Sequence, residues 1–464
     1  MSNQVRARLV LFLAVYAGMI TLTGLWAQDS APRKEVTKAE SATAATGNAA
    51  ATTLPVKPKL LSENVKKGLA YLVSQQHANG GWSQGEESAQ MGNSGDKIKD
   101  LPNVADTCMA ALTLLRAGNT PKEGIYADNL LKAIDFVCNQ IEKADKDSLY
   151  VTDVRATRVQ GKLGPYVDTF TVSLLFAELK GRMPDEKSEK RLVTALDKTI
   201  AKIQKNQRQD GTWANEGWAP ILSQSIASKG LNRAAQNGFQ VSGEVLARAE
   251  KYAKDNADPK NTARYETASP TFGGGLGSAG GGRAATTPAG RAVAGPAGGL
   301  GSAGVPLYDS ASNVSNLQDA VNTNKLLAKK ALEIAEKPSS SPKERGEAKA
   351  QLKRFAETEQ AKDEATAAFV KRLDDKQFIQ GFGSNGGEEF LSYMNISETL
   401  LAKGGPDWEK WDKRMIENLN NIQNKDGSWT GHHCITGRTF CTSAALLVLM
   451  ADRAPVPISA KLGK

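Results

Sequence analysis

Three segments of the chain share one spacing, in which a glutamine is followed by three residues, a glycine, one residue and a tryptophan. They are QHANGGW at 76–82, QRQDGTW at 207–213 and QNKDGSW at 423–429, and QGKLGPY at 160–166 ends in tyrosine instead. With 7 tryptophans in 464 residues, chance gives far fewer than one such match, so we interpret the segments as copies of an internal repeat. The repeat residues are Gln76, Gly80, Trp82, Gln160, Gly164, Tyr166, Gln207, Gly211, Trp213, Gln423, Gly427 and Trp429.

The segments that flank these copies predict two kinds of helix. Before each copy, apolar residues fall on one stripe, as at Leu192, Leu196, Ile200 and Ile203, which is typical of a helix that covers a core. After three copies comes a segment that is apolar on nearly all sides, at 106–115, 168–177 and 439–450, which is typical of a covered helix. We therefore expect alternating outer and inner helices. The repeat glycines are expected to end the outer helices, and the inner helices are expected to be capped by Asp106, Asp168 and Thr439.

The repeats resemble those of squalene and hopene cyclases and of the protein prenyltransferase beta subunits, the α/α-toroid family, over about 60–256 and 374–452. The resemblance implies an all-α fold, an (α/α) toroid or double-layer helical barrel, in which the repeat glutamines and tryptophans are structural. Because complement-type thioester domains and a class of pectate lyases use the same architecture, the resemblance implies a fold rather than one activity.

Composition divides the chain into six parts. We predict a signal peptide or N-terminal anchor at 1–27, a flexible linker at 28–58 and the first part of the toroid at 59–256. A disordered Gly/Ala-rich loop is expected at 257–313, a helical hairpin insertion at 314–373, and the last part of the toroid with a C-terminal tail at 374–464. We interpret the hairpin as a solvated, coiled-coil-like arm, with a protein-binding device as the alternative. Its second helix should begin at Ser341 and Pro342.

The N-terminus and the charge distribution bear on location and partners. Arg6 and Arg8 precede an apolar run from Leu9 to Ile20, and Ala27 is a plausible cleavage site, which together predict export to the periplasm or the exterior. An uncleaved segment would anchor the chain, and this is the one membrane contact that we expect. The net charge of +9 is spread along the chain, so we expect no nucleic-acid partner.

The cyclase reaction is not expected of this chain. The resemblance implies a proton donor in the middle of an Asp-x-Asp-Asp-Thr motif, and the nearest segment here is NVADTCM at 103–109. Asp106 and Thr107 match the last two positions, but Ala105 stands where the donor belongs. The Asp374–Asp375 pair does not match the acidic motif either, because Arg372 stands where an acid is needed.

The segment GHHCITGRTFC at 431–441 is the richest cluster of candidate chemical groups. Its candidates for catalysis are Cys434, Cys441, His432, His433 and Arg438. Cys108 holds the place of Cys441 in the first repeat, so Cys108, Cys434, Cys441, His432 and His433 are candidate zinc ligands. A local disulfide or buried packing of the cysteines is the alternative. The resemblance implies a diphosphate-binding arginine near Arg438, but the Asp-x-Cys that should follow it is missing.

Other polar residues could lie at the mouth of a cavity. They are Glu388, Glu389, Arg155 and Arg158, whereas His77 is expected at the surface. From these features we predict a cavity-bearing binding or scaffold protein for an apolar or glycan ligand. The alternative is an enzyme, either a prenyl- or terpenoid-processing protein that could use zinc, or a polysaccharide-processing toroid. The terpenoid alternative predicts an aromatic, apolar cavity, and the polysaccharide alternative predicts Lys, Arg and carboxylates at an open groove.

Overall fold

A computed structural model describes residues 56–88, 96–213, 216–257, 305–383 and 385–455. The predicted signal or anchor at 1–27, nearly all of the linker, and 258–304 of the Gly/Ala-rich loop lie outside the described residues. Within those ranges the chain is helical and has no β-strand beyond one isolated bridge. No helix in them combines the length and apolarity that crossing a membrane requires. The all-α prediction is thus confirmed for the described part.

The helices fall into an alternating order. In chain order they are α1 (Glu63–Ser74), α2 (Asp96–Lys99), α3 (Val104–Arg116), α4 (Ala127–Lys143), α5 (Arg158–Leu163), α6 (Val167–Leu179), α7 (Glu186–Lys205), α8 (Pro220–Gln236), α9 (Gly243–Ala257), α10 (Pro306–Glu336), α11 (Pro342–Val370), α12 (Lys376–Gln380), α13 (Gly387–Lys403), α14 (Pro406–Asn421) and α15 (Arg438–Leu449), with a short 3₁₀ helix at Ala451–Arg453.

Burial separates these helices into two classes. Every residue of α3 and α6 is buried, as is nearly every residue of α8, α13 and α15. By contrast, α1, α4, α7, α9 and α14 each bury one stripe, which in α7 includes Leu192, Leu196, Ile200 and Ile203. The predicted alternation of covering and covered helices is confirmed because each one-sided helix supplies the apolar stripe that shields a buried neighbour.

The buried helices pack in sequence order. Helix α3 contacts α6, α6 contacts α8, α8 contacts α10, α10 contacts α13, and α13 contacts α15. Helix α15 in turn contacts both α3 and α1, so the last buried helix also packs on the first.

The helical hairpin differs from its prediction. Helix α10 begins at Pro306, before the expected start at 314, and most of its residues from Leu307 to Asn324 are buried against α8 and α13. The interpretation as a solvated arm is therefore wrong for this half, because its Ser, Asn and Ala side chains are small enough to pack inside. The predicted start of α11 is confirmed, since Ser341 and Glu344 form a capping box.

The three tryptophan-containing repeats use the same hydrogen bonds. The indole N–H donates to a carbonyl in the last turn of the preceding outer helix, from Trp82 to Leu72 at 2.7 Å, from Trp213 to Ile203 at 2.7 Å and from Trp429 to Leu419 at 2.8 Å. The side-chain amide of each glutamine donates to its own repeat glycine and to the first turn of another outer helix. These second acceptors are the carbonyls of Asn129 for Gln76, Val245 for Gln207 and Asn64 for Gln423.

The repeat glycines serve a different purpose from the one expected. The outer helices already end at Ser74, Lys205 and Asn421, several residues before Gly80, Gly211 and Gly427. These glycines have φ between +88° and +90°, and a Cβ on Gly427 would lie 2.6 Å from the carbonyl oxygen of Lys67. They are needed because the backbone turns sharply against the next helix.

The tyrosine-containing copy is not equivalent to the others. Gln160 lies inside α5 and donates to the Val154 carbonyl and to the Asp168 carboxylate. Gly164 follows α5 directly with φ +109°, and Tyr166 is half-buried. The shared spacing at 160–166 therefore does not produce the shared geometry.

Candidate functional site

Four buried acidic side chains lie in the first turns of three buried helices. They are Asp106 on α3, Asp168 on α6, and Glu388 and Glu389 on α13, and none is more than 2% exposed. The charges of Glu388 and Asp106 both act on the Cys441 thiol of α15, which brings these helix ends to one region. Sequence analysis had named both glutamates among its candidates, but had interpreted both aspartates as caps.

Neither aspartate is the N-cap of its own helix. Asn103 caps α3, accepting from the backbone N–H of Asp106 at 2.9 Å, and its amide donates to Asp106 Oδ2 at 2.7 Å. Asp168 instead accepts from the backbone N–H of Ala105 at 2.9 Å and from Gln160 at 2.7 Å. Thr439 is also inside its helix, since α15 begins at Arg438.

Two of the acids have strongly raised pKa values. Burial, together with the nearby charge of Glu389, raises the pKa of Glu388 to about 8. Burial likewise raises the pKa of Asp106 to about 7. Glu388 Oε2 accepts from the Ile435 N–H at 3.1 Å, whereas Glu388 Oε1 and Asp106 Oδ1 have no partner among the described residues. A buried carboxyl that keeps its proton near neutral pH can act as a general acid.

Glu389 accepts hydrogen bonds from two donors and lies beside a histidine. Its Oε1 accepts from the Tyr308 hydroxyl at 2.5 Å and from the Phe382 backbone N–H at 3.0 Å. His433 Nε2 lies 3.2 Å from Oε2, and the histidine side chain is 12% exposed while Glu389 is fully buried. A Cβ on Gly386 would approach Oε2 to 2.8 Å, so glycine is needed for the loop to pack on the carboxylate. His433 is thus a partly exposed neighbour of the buried Glu389 carboxylate.

Aromatic rings cover this region. Trp218 lies 5.1 Å from Phe382, Phe382 lies 5.4 Å from His433, and His433 lies 5.3 Å from His432, measured between ring centroids. Phe382 is 59% exposed, which is unusual for a large apolar side chain beside buried acids. We call Trp218, Phe382, His432 and His433 the aromatic rim.

Cations lie beside the aromatic rim. Lys162 Nζ is 5.5 Å from the centroid of the Trp218 ring, and its charge acts on Glu388. Arg158 pairs with Glu87 at 2.8 Å, and Arg155 stacks on Tyr150 at 3.7 Å. The Arg155 charge acts on Asp168. Of the two predicted arginines, Arg155 thus lies near a buried acid, whereas Arg158 is paired with Glu87.

The predicted zinc site does not form in this structure. The described residues contain no group of three or more His, Cys, Asp or Glu side chains that could hold a metal ion. All four cysteines are buried and free, so the alternative of a Cys434–Cys441 disulfide is also wrong and buried packing describes them. Burial raises the pKa of the Cys434 thiol to about 12 and also raises that of Cys441, which disfavours thiolate chemistry.

The other predicted residues face different partners. Arg438 pairs with Asp426 at 2.6 Å and with Glu86 at 3.0 Å, both of them partly or fully exposed. His432 Nδ1 lies 2.8 Å from the Asn385 carbonyl. His77 is half-buried beside Ser83 rather than fully at the surface.

A second buried cluster, which sequence analysis did not identify, joins five of the buried helices. We call it the ion network, and its members are Arg116 on α3, Glu178 on α6, Lys229 and Arg233 on α8, Asp319 on α10 and Glu398 on α13. Glu398 accepts from Arg116 and Lys229 at 2.5 Å each and from Arg233 at 2.9 Å. Glu178 pairs with both arginines. Burial alone would raise the pKa of Glu398, but the three cations outweigh it and hold that pKa well below its usual range.

Comparison with protein-family models, curated proteins and solved structures gives no match to this chain. The function therefore has to be inferred from the acidic site and its surroundings.

The raised pKa of Glu388 predicts a specific pH dependence of stability. A carboxyl whose pKa is higher in the folded protein stabilises it fully below the unfolded-state pKa of about 4.3, and this contribution is lost as the pH rises to about 8. Glu388→Gln should therefore become more stable relative to the wild type by about 2–4 kcal/mol between pH 5 and pH 8. Urea denaturation at a series of pH values measures this difference, with the exposed Glu409→Gln as control. If the stability difference between the wild type and Glu388→Gln did not change with pH, Glu388 would be ionised in the folded protein and the prediction would be wrong.

Proposed function

We propose that the chain is an exported α/α toroid that binds a polysaccharide at the N-terminal ends of its buried helices and cleaves it by acid–base chemistry. The observation that carries this proposal is the buried Glu388, whose pKa is raised to about 8, next to Glu389 and the partly exposed His433. A buried carboxyl with a raised pKa, adjacent to a second acidic side chain, can supply the proton donor that acid–base catalysis requires. Export rests on the predicted signal at 1–27.

The toroid arrangement is supported by the way in which the chain ends meet. The order of contacts runs from α3 through the buried helices to α15 and returns to α3. Gln423 of the last repeat donates to Asn64 of α1 at 2.8 Å, the same type of bond by which Gln76 and Gln207 join consecutive outer helices. A repeat that bonds to the first helix as it would to a following repeat is expected of a closed ring.

The surroundings of the acids favour a glycan over a prenyl ligand. Cations beside carboxylates are the combination predicted for the polysaccharide alternative, although the aromatic rim alone would also suit the terpenoid alternative. A terpenoid site would instead require apolar walls, and Asp106, Asp168 and Glu388 make this region acidic. Zinc-dependent prenyl transfer has no support either, since the described side chains offer no metal-binding group.

The acids have separable roles in the proposed cleavage. Glu388 would give its proton to the glycosidic oxygen, which leaves with the bonding electron pair. Glu389 and His433 would accept a proton either from an attacking water or from the sugar carbon next to a carboxylate. Lys162 could neutralise such a carboxylate on an acidic sugar.

Binding without cleavage is the second candidate. It is favoured by the complete burial of Glu388, which is 0% exposed and would have to be reached by a substrate. In that case the aromatic rim would hold the glycan and the acids would only fix the rim in place.

The test is a panel of neutral and acidic polysaccharides offered to the purified mature protein. We expect retardation in affinity electrophoresis and release of new reducing ends, and absorbance of an unsaturated sugar would distinguish elimination from hydrolysis. Phe382→Ala should weaken binding about tenfold, as expected for one exposed aromatic contact, whereas Ile125→Ala, an exposed apolar residue far along the chain, should not. Binding without new reducing ends supports the second candidate. No binding to any member of the panel would reject both.

A further inference from the structure

A separate cavity of about 510 Å³ lies between α10, α11 and α13. Its lining combines four lysines and Asp363 with the apolar side chains of Val321, Val370 and Ala402. Its volume is within the range of pockets that bind small molecules. We call it the lysine pocket.

The lysine pocket is distant from the acidic site. Lys403 ends α13, whereas Glu388 and Glu389 lie in its first turn, and the fifteen positions from Glu388 to Lys403 span about 22 Å of helix. Because none of the lining residues belongs to the aromatic rim or to the buried acids, a ligand here would not occupy the proposed polysaccharide site.

Lysines outnumber carboxylates in the lining of this pocket. Four lysines and one aspartate contribute to its lining. Lys325 pairs with Glu359 at 3.0 Å, Lys362 with Asp363 at 2.5 Å, and Lys403 with Asp407. Lys371 is exposed and has no carboxylate partner among the described side chains. An anionic group that enters the pocket would therefore find one lysine, Lys371, that is not already paired with a carboxylate of the described residues.

Apolar residues complete the lining. Val321 is buried, and Val370 and Ala402 are half-buried between the lysines. A small inorganic anion would leave these surfaces in water, whereas a neutral apolar molecule would leave Lys371 without a partner. A molecule with an apolar body and one anionic end satisfies both parts of the lining.

We propose that the lysine pocket binds a free amphipathic anion of the carboxylate class, with its carboxylate at Lys371 and Lys403 and its apolar body against Val321, Val370 and Ala402. This site is independent of the proposed polysaccharide chemistry. It also gives a ligand-binding role to the base of the α10–α11 hairpin, for which a protein-binding device was the alternative to a solvated arm.

Isothermal titration with three probes tests the proposal on the purified mature protein. Dodecanoate, below its micelle concentration, should bind with one site per chain. Dodecyl alcohol lacks the charge and inorganic phosphate lacks the apolar body, and each should bind at least about tenfold more weakly. Equal affinity for dodecanoate and the alcohol, or no saturable binding of dodecanoate, would overturn the proposal.

Matched lysine variants locate the binding. Lys371→Gln and Lys403→Gln should each weaken dodecanoate binding about fivefold, as expected for losing one partly exposed charge pair. Lys143→Gln removes an exposed lysine at the end of α4 and should leave binding unchanged. All three positions are at the surface, so these variants should fold, which the unfolding midpoint verifies. Unchanged binding in both pocket variants would place the fatty acid elsewhere and contradict the assignment.

Discussion

Replacing Glu398 by alanine is expected to destabilise the protein by about 3–5 kcal/mol, because it leaves buried cations without their shared acceptor. Glu398 accepts from Arg116, Lys229 and Arg233, and each of these side chains is at most 5% exposed. Without Glu398 the ion network has three cations and two anions, so one buried positive charge is uncompensated. Urea denaturation measures the loss, and Glu409→Ala on the exposed side of α14 is the control.

Glu398→Ala should also change how the stability of the protein depends on pH in the acidic range. The pKa of Glu398 is depressed in the folded protein, so its contribution is present above the unfolded-state pKa and is lost as the pH falls through the folded-state pKa. We therefore expect the difference in free energy of unfolding between the wild type and Glu398→Ala to become smaller as the pH falls. The combined Lys229→Met, Glu398→Leu variant should cost less than the sum of its parts, since it removes both members of a pair. A loss below about 1 kcal/mol for Glu398→Ala would show that the ion network contributes little to stability.

Replacing Trp429 by alanine should cost about 3–5 kcal/mol, the usual effect of deleting a fully buried large aromatic side chain. Trp429 is 0% exposed and its indole N–H donates to Leu419 at 2.8 Å. A Cβ on Gly68 would lie 2.8 Å from Trp429 Cζ3, so the indole packs directly on α1. The variant would weaken the packing of the last repeat against α1.

Chemical denaturation measures the loss in free energy of unfolding for Trp429→Ala, with Trp213→Ala and Trp218→Ala as matched variants. Trp213 is 5% exposed and bonds to Ile203, so its loss should be similar. Trp218 is half-buried and should cost less. Equal losses at Trp429 and Trp218 would contradict the structural role that we assign to the repeat tryptophans.

The helical class and the two kinds of helix could be predicted because they depend on local periodicity. The stripe from Leu192 to Ile203 and the fully apolar segment at 168–177 carry that information within one helix length. Helix α10 was placed incorrectly because its buried residues include Ser312, Asn313 and Asn316. Such polar side chains give no apolar stripe, although they are buried.

The candidate site could be predicted only in part, because it depends on contacts between distant residues. Tyr308 and Glu389 are 81 positions apart, and Glu388 and Ile435 are 47 apart, so no spacing rule selects them. The Cys and His cluster at 431–441 was a candidate because of its residue types alone. Burial keeps its thiols neutral, which the sequence does not show. One sequence feature could have indicated the ion network, namely a charged residue such as Glu178 or Glu398 within an otherwise apolar, buried helix.

The rate of polysaccharide cleavage by Glu388→Gln is the measurement that tests the proposed acid–base site most directly. With the substrate found by the panel, the proposal predicts that Glu388→Gln and Glu389→Gln each lower the cleavage rate by about 10²–10⁴-fold, the contribution of a positioned proton donor or acceptor. Glu409→Gln should cleave at the wild-type rate, and circular dichroism should show that all three variants are folded. A Glu388→Gln protein that is folded and retains half or more of the wild-type rate would contradict the central claim that Glu388 is the proton donor.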